Sequence, residues 1–169
     1  IIMLPDVSQL INGLDSLDYV VEEDLATILL LMLKLRKPLL LEGPPGVGKT
    51  EVSQIIASYS RTKLIRLQCY EGLDVNSAVY EWNYQKQLLS IKLTESSELS
   101  SSEKESHIFS DEFLLKRPLL QAITDSVKSP VLLIDEVTEI PLETQSKILR
   151  IVVDQKFKRI NGNHDIKVD

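Results

Sequence analysis

Apolar positions along the chain fall into alternating helical and extended segments. Val7, Leu10, Ile11 and Leu14 recur at helical intervals and predict a first helix, which Asn12-Gly13 weakens. Glu22, Glu23 and Asp24 open a stronger helix that closes on Lys34, Arg36 and Lys37. Acids first and bases last suit a helix dipole, and Pro38 stops the helix. Leu39 to Leu41 form a short apolar run, the pattern of a strand covered on both faces. Gly43 to Thr50 form a loop. Beyond it, Val52, Ile55, Ile56 and Tyr59 repeat at i, i+3, i+4 and i+7, one stripe of a helix lying on a sheet.

Further along, Leu64 to Leu67 predict a strand and Val75 to Trp82 a short helix, while Gln87 to Leu93 alternate unevenly and favour strand. The serine- and glutamate-rich stretch Thr94 to Ser106 supplies no core and predicts a flexible loop or hairpin tip. Leu119, Leu120, Ile123 and Val127 mark a helix entered through Pro118. Val131 to Ile134 is another buried strand, and Leu142 to Val153 a helix begun after Pro141. Phe157 to Val168, centred on Asn161-Gly162, fits a hairpin. Strands alternating with helices imply right-handed crossovers and a central parallel sheet, so the expected fold is three-layer α/β.

Composition narrows the class. With 169 residues, 43% apolar and 26% charged, the chain holds one domain's core and is neither a disordered tail nor a membrane protein. Its densest apolar run, Leu25 to Leu33, is far short of the about 20 residues that a bilayer demands. The chain opens on Ile1 without a basic-then-apolar leader, which points to a piece of a longer cytoplasmic protein. The single cysteine, Cys69, excludes an internal disulfide framework and reads as a packed thiol. His107 and His164 have no second ligand at metal spacing. A net charge of −6 argues against a surface that tracks nucleic-acid backbone.

Candidate chemistry concentrates in Gly43-Pro44-Pro45-Gly46-Val47-Gly48-Lys49-Thr50, which fits G-x-x-x-x-G-K-[ST] without a mismatch. Its glycines let the backbone turn sharply and bring amides against phosphate oxygens. The helix that follows aims its positive end at the same anion. Lys49 can reach the β- and γ-phosphates of ATP, and the Thr50 hydroxyl is placed for Mg²⁺. The partner signal is Val131-Leu132-Leu133-Ile134-Asp135-Glu136, an apolar strand ending in two acids. Alone it is weak; paired with the loop it reads as a Walker B element, since ligands gather at the carboxyl ends of strands in open α/β sheets. Adjacent strand residues face opposite ways, so Asp135 is expected on the metal and Glu136 on the attacking water. The second acid favours hydrolysis over phosphoryl transfer.

The loop with its flanks Leu41-Glu42 and Glu51, the segment Cys69-Tyr70-Glu71-Gly72-Leu73-Asp74 running on to Tyr80-Glu81-Trp82-Asn83-Tyr84, and Phe113-Leu114-Leu115-Lys116-Arg117-Pro118-Leu119-Leu120 together resemble the AAA+ ATPases, specifically the MoxR family. The nearest branch in pattern is the one associated with maturation of carbon monoxide dehydrogenase-type molybdenum enzymes. The resemblance implies an AAA+ large subdomain over residues 19–169, preceded by a linker or helix at 1–18, with an insertion near 87–109. It further implies a hexameric ring, a partner carrying a von Willebrand factor A domain, and a metalloenzyme client. The family's first sensor, arginine finger and helical lid would fall beyond Asp169, so slow hydrolysis is expected of these residues alone. Val21 stands where the family commonly has glycine near the adenine. Two alternatives remain open: a DNA-handling AAA+ motor, such as a loader or restriction translocase, and a module that senses nucleotide without turnover.

Overall fold

The computed structural model describes residues 6–94, 100–124, 128–154, 156–158 and 165–167. Helix α1 spans Val7–Asp15. Asp6 caps it by accepting from Gln9 N at 2.7 Å, while Gln9 Oε1 accepts from Asp6 N at 3.0 Å. This reciprocal box satisfies two orphan donors and offsets the weak Asn12-Gly13 interior. Gly13 has a packing reason: a Cβ there would lie 2.4 Å from Tyr59 Cε2. Helix α2 spans Glu23–Leu35 and closes on Arg36 in the left-handed region.

The phosphate-type loop leads into α3 (Lys49–Tyr59), followed by β1 (Leu64–Gln68), α4 (Val75–Val79), β2 (Tyr80–Trp82) and α5 (Tyr84–Thr94). Next come α6 (Ser101–Ile108), β3 (Leu114–Lys116), α7 (Pro118–Thr124), β4 (Val131–Asp135), α8 (Leu142–Asp154), β5 (Lys156–Lys158) and β6 (Asp165–Lys167). Strands β1 and β4 pair in parallel, from Leu64 opposite Val131 to Gln68 opposite Asp135. Two antiparallel pairs, β2 with β3 and β5 with β6, stand apart from that ladder. The last pair agrees with the expected hairpin, whose Asn161-Gly162 turn lies outside the described residues.

Side chains of the parallel pair divide between two cores. Leu67, Leu132 and Ile134 pack with Leu119, Leu120 and Ile148 of α7 and α8. On the other face Val131 packs with Leu10, Leu14, Leu29, Val52 and Ile56 of α1, α2 and α3. Helices on both faces of a parallel pair make the three-layer α/β arrangement. Among the described residues no helix is long and apolar enough to cross a membrane.

Four expectations are corrected. Leu39 to Leu41 are not laddered: among the described residues the parallel ladder joins β1 and β4, and an apolar run reports burial without supplying a strand partner. The run still contributes Leu39 and Leu41 to the α1–α3 core, while Leu40 is 68% exposed. Gln87 to Leu93 are helical: the Asn83 side chain accepts from Lys86 N at 3.0 Å and starts α5, whose Gln, Lys and Leu residues are good helix formers. Within Thr94 to Ser106, α6 begins at Ser101 behind a Ser100–Glu103 capping box, so part of the expected loop is helix. Val75 to Trp82 divides into α4 and β2, the latter zipped to β3.

Leu119 is fully buried beneath β1 and β4. Leu119→Ala should cost about 2–5 kcal/mol, and the thermal unfolding midpoint should fall by roughly 2–4 °C for each of them. A circular-dichroism melt checks this.

Candidate functional site

Gly46 and Gly48 both have φ +84, a left-handed backbone that side-chain-bearing residues rarely adopt. A Cβ at Gly46 would meet nothing within 4 Å, so conformation rather than crowding demands glycine there. Gly48 caps α3 and supplies no side chain to the first-turn amides, which leaves that helix end suited to an external anion. Lys49 Nζ donates to Gly43 O and Pro44 O, each at 2.7 Å, and so lies back across its own loop. Pro45 and Val47 are exposed on the loop, and Thr50 is half-buried on the first turn.

Contacts at the far end of α3 establish its direction. Lys128 Nζ donates to Ser60 O. Thr62 Oγ1 donates to Ser129 O at 2.9 Å, and Val131 N donates to Lys63 O at 2.9 Å. The carboxyl end of α3 therefore sits at the beginning of β4. Eleven helical and five strand residues each cover about 16 Å. Lys49 and Thr50 thus lie toward the end of β4 that carries Asp135. Because Leu132 and Ile134 face the α7–α8 core, alternation puts Asp135 on the α3 face with Val131.

Asp135 is engaged by β1. Arg66 Nη2 lies 2.5 Å from Asp135 Oδ2 and donates to Gln68 Oε1 at 2.7 Å. The Asp135 carbonyl accepts from Cys69 N at 2.9 Å. The strand ends at Asp135, so simple alternation does not set the direction of Glu136. Instead Glu136 adopts φ 56 and ψ 43 and leads into a 3₁₀ turn at Val137–Glu139. A left-handed non-glycine residue costs about 1–3 kcal/mol, and such strain gathers at functional sites. Glu136 is exposed.

Among the described residues no cluster of three or more His, Cys, Asp or Glu could hold a metal. Magnesium does not need such a cage; it keeps waters and takes one or two protein oxygens plus phosphate. The Thr50 hydroxyl and the Asp135 carboxylate are hard oxygen donors toward the same end of the sheet, so the residues fit that ion.

Sequence reasoning missed three features here. Arg66, a lone cation inside an apolar strand, was the legible signal for the Asp135 pair. Tyr19 sits near α3: burial first, and the charge of Glu51 second, push its hydroxyl pKa up. The third is a cavity of about 500 Å³ at the end of β1, lined by Gln68, Tyr70, Tyr80, Trp82, Arg117 and Pro118 among others. The Cys69–Tyr84 and Phe113–Leu120 motifs converge on it. Arg117 pairs with Glu81 there, and the Tyr80 and Trp82 rings meet edge-on at 6.0 Å.

The family model described as AAA domain, dynein-related subfamily, matches residues 38–169. The regulatory protein AtoC of Escherichia coli K12 is 39% identical over 74 residues, 42% of this chain and 16% of that protein. The nitrogen assimilation regulatory protein NtrX of Azorhizobium caulinodans is 42% identical over 38 residues, 22% of this chain and 8% of its own length. The transcriptional regulatory protein FlgR of Helicobacter pylori is 36% identical over 45 residues, 27% of this chain and 12% of its own. The chain spans less than a fifth of the length of these relatives. No solved structure matches it.

Cys69 is 3% exposed. Burial, and secondarily the charge of Asp135, raise its thiol pKa, so less thiolate is present at pH 8. A thiol reagent at pH 8 should label the native protein at least tenfold more slowly than the urea-unfolded chain. Equal rates would contradict this environment.

Proposed function

The chain belongs to the AAA domain family, dynein-related subfamily, and on that premise we propose that it is the Mg²⁺-dependent ATP-hydrolysing unit of a chaperone-like ring motor of MoxR type. AAA domains carry the phosphate-loop NTPase fold, bind ATP and commonly assemble as rings, and the three-layer α/β arrangement agrees with that membership. The observation that carries the site reading is the orientation of α3, which brings Lys49 and Thr50 toward the same end of β4 as Asp135.

In this reading the backbone amides of residues 43–50 receive the phosphates, with the left-handed Gly46 and Gly48 shaping the turn. Lys49 leaves the carbonyls of Gly43 and Pro44 and neutralises the β- and γ-phosphate oxygens. Thr50 and Asp135 are the residues that would hold magnesium, which would supply positive charge to neutralise what develops on the phosphates. Glu136, projected by its left-handed turn, orients and polarises the attacking water. Residues 19–169 form the AAA unit, α1 is its attached helix, and α5 with α6 forms the insertion over 87–109. The motif resemblance supports a partner with a von Willebrand factor A domain and a metalloenzyme client in the cytoplasm.

The names of the relatives favour a second reading, a motor that serves transcriptional regulation. The net charge of −6 weighs against direct grip on a DNA backbone in either case. Salt-sensitive duplex binding by the assembled protein would favour the second reading over the first.

Lys49→Ala should abolish ATP binding measured by calorimetry; wild-type affinity in that variant would refute the phosphate-loop reading. In the assembled ring, Glu136→Gln should keep ATP affinity while turnover falls by about 10²–10⁴-fold. Undiminished hydrolysis would remove Glu136 from the chemical step.

A further inference from the structure

Arg66 and Asp135 lie on neighbouring parallel strands, one diagonal step apart, since Arg66 stands opposite Leu133. Both project from the α3 face of the sheet. The same Nη2 that approaches Asp135 Oδ2 at 2.5 Å also donates to Gln68 Oε1 at 2.7 Å. The two partners differ in exposure: the Arg66 side chain is 54% accessible, that of Asp135 only 20%. A half-hidden carboxylate needs a cation beside it, whereas the arginine can turn outward to water and still keep an acceptor on its own strand.

We propose that Arg66 is an internal stand-in for the divalent cation: it neutralises Asp135 until a metal arrives and competes with that metal for the carboxylate. The inference rests on the reading of Asp135 as a metal-binding group. The β1–β4 ladder has a full five-residue register with apolar cores on both faces, so it does not need the ion pair to hold the strands together. A pair this accessible is weak enough for a magnesium–nucleotide complex to displace, yet strong enough to hold down the gain that magnesium brings. Arg66 is therefore a positioning residue that sets how strongly magnesium and nucleotide reinforce each other.

The experiment measures ATP affinity by calorimetry in magnesium and in excess chelator, and reads the ratio of the two. Arg66→Ala should raise that ratio by about two- to fivefold over wild type. Arg66→Lys, which retains a cation within reach, should fall between them. In an Asp135→Asn background the Arg66→Ala change should leave the ratio unmoved. A ratio that is unchanged or lowered in Arg66→Ala, with or without a lower melting temperature, overturns the proposal. So does the same shift in the Asp135→Asn background. Arg66→Gln, with a similar shape and no charge, repeats the measurement if the alanine variant does not fold. Failure of the wild-type chain to bind ATP would overturn the site reading and this proposal together. Binding that depends on Lys49 but ignores Arg66 overturns this proposal alone.

Discussion

A parallel strand pair must be covered on both faces, and that requirement organises this protein. Parallel strands cannot be joined by a tight turn, so the chain from Gln68 to Val131 leaves the sheet, crosses one face and returns. The return places α7 on that face, α8 joins it there after β4, and the other face is left to α1, α2 and α3. Once α3 must lie along β4 with its carboxyl end at Ser129, its amino end has one place to be. The glycine turn and the acidic strand end are set toward the same end of the sheet by packing and hydrogen bonds at the far end of α3.

Local signals were legible where chain and packing agree. The stripe Val52, Ile55, Ile56, Tyr59 marked α3, and both parallel strands appeared as short apolar runs. The glycine loop was legible because its residue types are demanded by backbone geometry, as the φ of +84 at Gly46 and Gly48 bears out. Leu39 to Leu41 failed because an apolar run reports burial, not the identity of a ladder partner. Gln87 to Leu93 failed because uneven alternation outweighed the Asn83 cap, and α6 failed because low complexity masked the Ser100–Glu103 box. Arg66 stood out as a cation within an apolar strand, but its partner depends on register across residues nearly seventy positions apart.

The comparisons and the structure inform different levels. The family match over residues 38–169 carries the nucleotide-binding fold, whereas the relatives match over short stretches and are regulatory proteins. Residues from two further motifs, around Tyr70–Tyr84 and Phe113–Leu120, line a cavity that includes none of the glycine loop. Gln68 belongs to both places, as a wall of that cavity and as an acceptor for Arg66. The end of β1 thus borders both Asp135 and that cavity.

The closeness of Gly13 to the Tyr59 ring has a consequence for how much of the chain belongs with the AAA domain. Leu10 and Leu14 are wholly enclosed, and the space a side chain at position 13 would fill is already taken by an aromatic ring from the helix bearing Lys49. The amino-terminal segment is therefore a wall and not a tether. Trimming the protein back to Tyr19 would strip Val52 and Ile56 of part of their cover and expose a greasy flank along α3. Any shortened version meant for biochemistry should keep everything from Asp6 onward.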